Sequence, residues 1–249
     1  MAKIDNILGI QGTISGINIY KLNGEWVARA AGGGFTREAI KKKESMGLVR
    51  KQNEEFALAS KSNRILRRGF RGLHGTFKIT YLHSRLQGVM QQLKKLDTTS
   101  RFGERDAFVG MVTPEGLATL NAFEYTPDAP WNTTVPYIIQ PLGSSLELSM
   151  QLKPQKWKSP LAATHIGFRM AVLELHAEDH EIKTWQTERV CYDLKTLPET
   201  LTFVTDAPLE RVGPRLVYVS AWYQQKKDEE LFALRDKKTF SMACVGASL

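Results

Sequence analysis

Alternating apolar and polar positions mark the two ends of this chain, and a helical repeat fills much of the stretch between them. Thr13–Leu22 and Glu25–Ala30 are rich in Ile, Tyr, Trp and Val and flank Asn23-Gly24, a pair suited to the two positive φ angles of a type I′ turn, so the spacing predicts a β-hairpin. Ile17 and Ile19 fall on one face of it. A two-stranded ribbon is marginal in water, so the hairpin is expected to lie against the following helices, the C-terminal domain or another copy of the protein. Ile17, Ile19, Tyr20 and Trp26 are its expected assembly contacts. Gly32-Gly33-Gly34 then breaks the chain, and Thr36 is placed to cap a helix whose first turn carries Glu38.

Val49, Phe56, Ala59, Leu66 and Phe70 recur at steps of three, four or seven, which predicts one helical stripe from about Thr36 to Phe70, bent at Gly47. A second helix is expected from about Phe77 to Leu96, with Leu82, Leu86, Val89, Met90, Leu93 and Leu96 on one side and Gly72 and Gly75 in the joint. The two should form an antiparallel pair. Beyond Leu96, a polar segment and Pro114, Pro127, Pro130, Pro136 and Pro141 read as an irregular connection with short strands. Alternation returns at Leu146, Leu148, Met150 and Leu152, and strand-like runs follow at His165–Leu175, Ile182–Tyr192, Thr200–Val204, Arg215–Gln224 and Thr239–Val245. Turn-rich separators at Ala177–Asp179 and Gln225–Glu230 fit antiparallel connections. The expected class is therefore α+β: an N-terminal β-hairpin arm over residues 1–34, a basic helical hairpin over 35–100, an irregular connection over 101–143, and an immunoglobulin-like antiparallel β-sandwich over 144–249.

Charge changes this picture more than composition does. Residues 1–75 hold 14 Lys and Arg against 6 Asp and Glu, while the remainder has 20 of each sign, so the N-terminal third carries the whole net charge of +8. A localised excess points to a docking surface for phosphate, nucleic acid or an acidic partner. The 249 residues, 42% of them hydrophobic, suit a globular protein. The chain lacks a secretory signal pattern and any run of about 20 apolar residues, which predicts synthesis in the cytoplasm and no membrane partner. Cys191 and Cys244 have no CxxC spacing and are expected to be buried thiols, outside any disulfide framework or zinc knuckle.

Arg64, Arg67, Arg68 and Arg71 stand at i, i+3, i+4 and i+7, with Lys61 nearby, a row of guanidinium groups able to bind phosphates or carboxylates bidentately. The plainer reading is a solvated face paired with Glu54, Glu55 or acids of the β domain; the others assign it to an acidic protein or to nucleic acid. Aromatic residues usually interleave with basic ones in single-strand binding, and only Phe70 and Phe77 are close in sequence, both at core positions. Gly32-Gly33-Gly34 ahead of Lys41, Lys42 and Lys43 lacks the GxxxxGK[ST] pattern, so it reads as a hinge and the lysines as a solvated face that can meet a partner or phosphate. His176-Ala-Glu-Asp-His180 lies between predicted strands and reads as a polar turn, not a metal site. Gly12-Thr-Ile-Ser-Gly16 sets its serine one position late for a nucleophile elbow and sits in a hairpin. The Asn132-Thr-Thr sequon is not expected to be used. Tyr20, Trp26, Trp131, Trp157, Trp185, Trp222 and Tyr223 are spread over many elements as core pillars or interface anchors. No residues stand out as catalytic, cofactor-binding or metal-binding.

Gly12–Lys21 with Val27–Gly34, then Arg50–Lys61 with Leu66-Arg-Arg, then Ser84–Met90 with Asp97–Arg105, together resemble a family of uncharacterised proteins found in Bacteroidota. The resemblance covers roughly residues 7–106; the β-rich remainder agrees only in length and in ending on a hydrophobic strand. It implies a Bacteroidota or phage-related origin and imports no catalytic residues. The reading that follows from the hairpin, the charge split and the missing chemistry is a non-enzymatic structural subunit, a homo-oligomer docking into a phage-like particle, virion or filament. The alternative is a non-specific nucleic-acid-binding protein that uses the basic helical region.

Overall fold

The computed structural model describes residues 2–5, 9–32, 36–134, 137–142, 147–153, 159–208 and 212–248. Gly33, Gly34, Pro136, Leu146 and Trp157, used in the sequence reading, lie outside them. The chain divides into two compact units, Met1–Glu54 and Glu55–Leu249. The mixed class and the antiparallel C-terminal sheets are as expected. No helix among the described residues is long and apolar enough to cross a membrane.

In the first unit, β1 (Ala2–Lys3), β2 (Gly12–Ile14), β3 (Ile17–Leu22) and β4 (Glu25–Ala30) form an antiparallel sheet in the order β1-β4-β3-β2. The expected turn at Asn23-Gly24 has φ of 51° and 87°. A second turn of the same kind, Ser15-Gly16 with φ of 46° and 78°, splits the single strand expected over Thr13–Leu22, because both residues tolerate the left-handed region within a short polar interruption. The register pairs Ile14 with Ile17, Ile17 with Ala30, Ile19 with Ala28, and Lys21 with Trp26. Ile14, Ile17, Ile19, Trp26 and Ala28 therefore share a face, and Tyr20 lies on the other, opposite Val27.

Helix α1 (Arg37–Lys42) begins where the Thr36 hydroxyl accepts from the Ala39 amide at 3.1 Å. It stops at Lys43, whose ψ of 131° leaves the helical region. After a 3-10 turn at Glu44–Met46, α2 (Gly47–Gly69) runs into the second unit. The break thus falls at Lys43, while Gly47 is helical at φ −56° and ψ −44°. Arg50 consolidates the break by donating to the Ile40 and Lys43 carbonyls at 2.7 and 2.9 Å, serving orphan acceptors at a helix end.

The expected period of α2 is present, but its phase corrects the predicted stripe. Glu55, Ala59, Ser62, Asn63, Leu66 and Gly69 face inward, whereas Phe56 is 52% exposed. Three polar residues are admitted to the buried face because each meets partners there, described below. After α3 (Arg71–His74), α4 (Leu82–Leu93) starts five residues later than expected and continues into a 3-10 turn at Lys94–Leu96. The connection expected to be irregular contains α5 (Ala107–Met111) and α6 (Pro114–Ala122). Asp106 and Thr113 cap them by accepting from the Phe108 and Gly116 amides, and Pro114 begins α6, a position that suits proline's fixed φ.

After α7 (Trp131–Thr134) come β5 (Tyr137–Leu142), β6 (Glu147–Leu152), β7 (His165–His176), β8 (Glu181–Gln186), β9 (Val190–Asp193), β10 (Thr200–Val204), β11 (Arg215–Lys227), β12 (Glu230–Ala233) and β13 (Phe240–Ser248). A small sheet has the order β10-β6-β5. The larger one is centred on the antiparallel pair β7–β11, with β8 and β9 end to end along one edge of β7 and β12 and β13 end to end along β11. The single strand expected over Ile182–Tyr192 is thus two, joined where Thr187 exchanges hydrogen bonds with Met170. The separator expected at Gln225–Glu230 shrinks to a tight turn at Asp228-Glu229.

Both faces of β7 and β11 are covered. Ala171, Leu173, Leu175, Leu216, Tyr218 and Trp222 join Leu66, Phe70, Leu86, Met90, Phe108 and Leu120 in one core. Ile166, Phe168, Met170, Val172, Val219 and Tyr223 join Leu148, Met150, Leu201 and Phe203 of the small sheet in the other. This explains the near-continuous apolar runs of β7 and β11. It also corrects the expected simple sandwich, since helices cover one face of the larger sheet and a three-stranded sheet covers the other. At the helix-side centre the hydroxyls of Tyr125 and Tyr218 meet at 2.7 Å, and burial pushes both far above the usual tyrosine value.

Candidate anion-binding cleft

The last turns of α2 and the start of α3 bring together the arginine row predicted from spacing. Arg64, Arg67, Arg68 and Arg71 line a cleft of about 590 Å³ with His74 of α3, Ile79, Tyr81, and the first residues of α4, Leu82, His83 and Ser84. Arg67 and Arg68 occupy the final turn of α2, where positive charge complements the helix dipole. Across the cleft, the His83 and Ser84 amides in the first turn of α4 have no acceptor among the described residues. The guanidinium groups and the first residues of α4 therefore line one space.

Its floor is tied by Asn63, buried on α2. The Asn63 Nδ2 donates to the His83 carbonyl at 3.1 Å and to Gln87 Oε1 at 3.0 Å, and its Oδ1 accepts from Arg67 Nε at 3.0 Å. One side chain thus fixes the position of an arginine and of the opposing helix start. The segment before α4 is held by Arg85, which donates to the carbonyls of Thr80, Glu124 and Tyr125 at 3.2, 2.6 and 2.7 Å, and by the contact of Thr80 Oγ1 with Asp128 Oδ2. So fixed, Tyr81 adopts a left-handed conformation with φ of 47° and is 78% exposed, an uncommon arrangement for a bulky residue.

No carboxylate among the described residues forms an ion pair with Arg64, Arg67, Arg68 or Arg71. The expected pairing with Glu54, Glu55 or β-domain acids is absent among the described residues, while Arg64, Arg68 and Arg71 are exposed and Arg67 is half-buried, as on a solvated face. Glu55 instead turns inward to Lys94 Nζ at 2.8 Å, Arg105 Nε at 2.7 Å and the Gly103 amide at 3.0 Å. At His74, burial, and then Arg71 and Arg67, lower the imidazole pKa, and its Nδ1 is buried without a hydrogen-bond partner. The cleft is thus positive, roomy and without an internal counter-ion.

The other predicted contacts lie elsewhere. Lys61 is exposed on α2 and does not line the cleft. Lys41, Lys42 and Lys43 are exposed in the first unit, and Lys42 pairs with Glu38 at 2.8 Å. Ile17 is 46% exposed, Ile19 and Tyr20 are half-buried, and half-buried Trp26 has Lys21 Nζ 5.1 Å from its ring centroid. Sequence reasoning missed Tyr81, His83, Ser84 and His74; the β-branched pair Ile79-Thr80, poor in a helix, was the available signal for a later start of α4.

His176 and His180 go to separate carboxylates, Glu174 Oε1 at 2.9 Å and Asp106 Oδ2 at 2.7 Å. Among the described residues no three His, Cys, Asp or Glu side chains are grouped to hold a metal ion. Ser62 Oγ, 1% exposed at its residue, donates to Asp106 Oδ1 at 3.0 Å, so the order is Ser–Asp–His, whereas hydroxyl activation needs the imidazole in the middle. Cys244 is buried, its thiol pushed up to about 12 by burial, whereas Cys191 is exposed on β9, correcting its expected burial. Strand β9 lies along β7, which leaves the Cys191 side chain at the outer part of the sheet beside Gln224. No protein-family model, curated protein or solved structure matches the chain.

Proposed function

We propose that this is a binding protein and not an enzyme, and that its cleft holds the phosphate backbone of nucleic acid without reading base sequence. One observation carries this reading: four arginines that lack any carboxylate partner among the described residues surround a cleft of about 590 Å³. Phosphate is the anion that best uses planar forks and helix N–H groups together. Tyr81, ten residues beyond Arg71 and exposed in the same cleft, supplies the aromatic face whose absence weakened the nucleic-acid reading. A base can stack on such a ring, with a contribution of about 1–3 kcal/mol.

Fluorescence anisotropy of labelled oligothymidylate tests this. Four phosphate contacts predict a log–log salt slope of about −3. Reversing Arg64, Arg67, Arg68 and Arg71 to Glu should abolish binding, and indifference to that reversal defeats the proposal.

A second, compatible reading is self-association, favoured by the apolar face of the first unit. Ile14 and Ile17 are 47% and 46% exposed there, and Val27 is the one buried residue of the four strands among those described. Light scattering coupled to size exclusion should show oligomers that Ile17→Lys dissociates; a strict monomer at micromolar concentrations defeats this reading.

A further inference from the structure

Beyond the cleft, a second pair of arginines lies where α3 meets the larger sheet. Arg169 of β7 donates from Nη1 to the Gly72 carbonyl of α3 at 3.1 Å and from Nε to the Thr187 carbonyl at 2.8 Å. Arg189, exposed in the connection between β8 and β9, holds its guanidinium carbon 5.7 Å from the ring centroid of Trp222. That guanidinium also borders Gly75, the residue after cleft-lining His74. Two glycines build this junction. At Gly167 a side chain would collide with the Trp222 ring, and Gly72 of α3 lies beside the Gln186 amide of β8.

Like charges do not gather in this way without cost. Burial, and then the Arg189 charge, lower the Arg169 guanidinium pKa. Neither arginine forms an ion pair with a carboxylate among the described residues. Arg169 spends its donors on carbonyls, leaving Arg189, stacked on an aromatic face and open to solvent, as the cation available to a ligand.

Building on the proposed nucleic-acid reading of the cleft, we infer that the binding track continues from Arg71 across α3 to a second phosphate station at Arg189. The ligand is a single-stranded oligonucleotide of several residues, whose successive phosphates meet the arginine row and then Arg189, beside Gly75 at the end of α3. Tyr81 takes an unpaired base within the cleft, and Arg189 takes the backbone after it leaves.

Anisotropy with labelled dT15, and competition by unlabelled dT4, separates the inference from the reading beneath it. For wild-type protein, dT15 binds more tightly than dT4 and with a steeper salt slope. Arg189→Glu should weaken dT15 about tenfold and flatten its slope by about 0.7, while dT4 competes as before. Arg189→Lys, which keeps the charge on a longer-lived exposed site, should restore much of the dT15 affinity, and Arg189→Gln guards against a misfolded Glu variant. Unchanged dT15 affinity and slope in both Arg189→Glu and Arg189→Gln, with binding still lost on reversing the α2 row, overturns the second station and leaves the cleft standing. Failure of wild-type protein to bind either oligonucleotide overturns the cleft reading, and the track with it.

Discussion

The same helix treats charge in opposite ways within a few turns. Near its middle, Glu55 is buried and meets two cations and a backbone amide. Toward its C-terminus, Arg64, Arg67 and Arg68, with Arg71 at the start of α3, meet no carboxylate among the described residues and border open space. A buried charge with its partners in place is a structural joint; a cluster of like charges with room beside it is held ready for something from outside. Position on α2 does not separate the two cases, since both follow a helical period. Compensation does.

The largest expected effect breaks the compensated side. Glu55→Gln leaves Lys94, whose side chain is 11% exposed, and Arg105 without their shared counter-ion, and should lower unfolding stability by about 3–5 kcal/mol in urea titrations. Arg68→Ala, on the uncompensated side, should change stability by no more than about 0.5 kcal/mol while weakening oligonucleotide binding. Equal losses of stability from the two substitutions would erase the distinction.

Acid titration approaches the same joint without mutation. Arg105 first, then Lys94 and the Gly103 amide, overcome the effect of burial and hold the Glu55 carboxyl at about 2. Burial opposes ionisation of Asp97 as well, but the Asp106 amide, with Ser100 and Thr99, holds it well below the usual carboxylate range. Because both values are lowered in the folded state, their stabilisation is complete above the unfolded values near pH 4–5 and is lost as the pH falls toward about 2. Stability should therefore decline through that window, and Glu55→Gln should make the decline shallower. A profile no different in the variant would remove Glu55 from the account.

Asn63 joins the two regimes and gives an intermediate effect. Replacing it with Leu strands the Gln87 and Arg67 partners it now satisfies and should cost about 1–3 kcal/mol of stability. It should also weaken oligonucleotide binding, because Arg67 and the start of α4 lose their common anchor. Reduced stability with unaltered affinity would show that the cleft does not need this floor.

These joints mark where the sequence was readable. The arginine row, the Asn23-Gly24 turn, the limits of β10 and the apolar runs of β7 and β11 are local patterns, and the structure retains them. Phe56 and Glu55 are neighbours on one helix, and a hydrophobicity rule points the phenylalanine inward. The reverse holds because Lys94 and Arg105, 39 and 50 residues along the chain, make a buried glutamate tolerable. Tyr81 entered the cleft unseen for a similar reason: its left-handed backbone is imposed by Arg85 and by residues of the 124–128 region. Short helices α5 and α6 were hidden by reading Pro114 as an interruption when it opens a helix. Contacts distant in sequence decided the first two cases; the third turns on a local helix start at Thr113-Pro114.

The smallest expected effect separates the two basic clusters from each other. Lys41, Lys42 and Lys43 lie on a short, exposed helix, and Lys42 already has Glu38 four residues away, with both side chains at least 75% exposed. Such a pair contributes about 0.5 kcal/mol or less, so Lys42→Ala should leave the unfolding midpoint nearly unchanged. Its effect on oligonucleotide binding should be equally slight, about twofold or less, because a flexible ammonium in full solvent is screened and lacks a cleft to orient a phosphate. Arg68→Ala measured beside it, at the same ionic strength, changes net charge by the same single unit. If the two variants lose affinity equally, net charge alone governs binding; a clear excess loss at Arg68 means that the shape of the arginine cleft does.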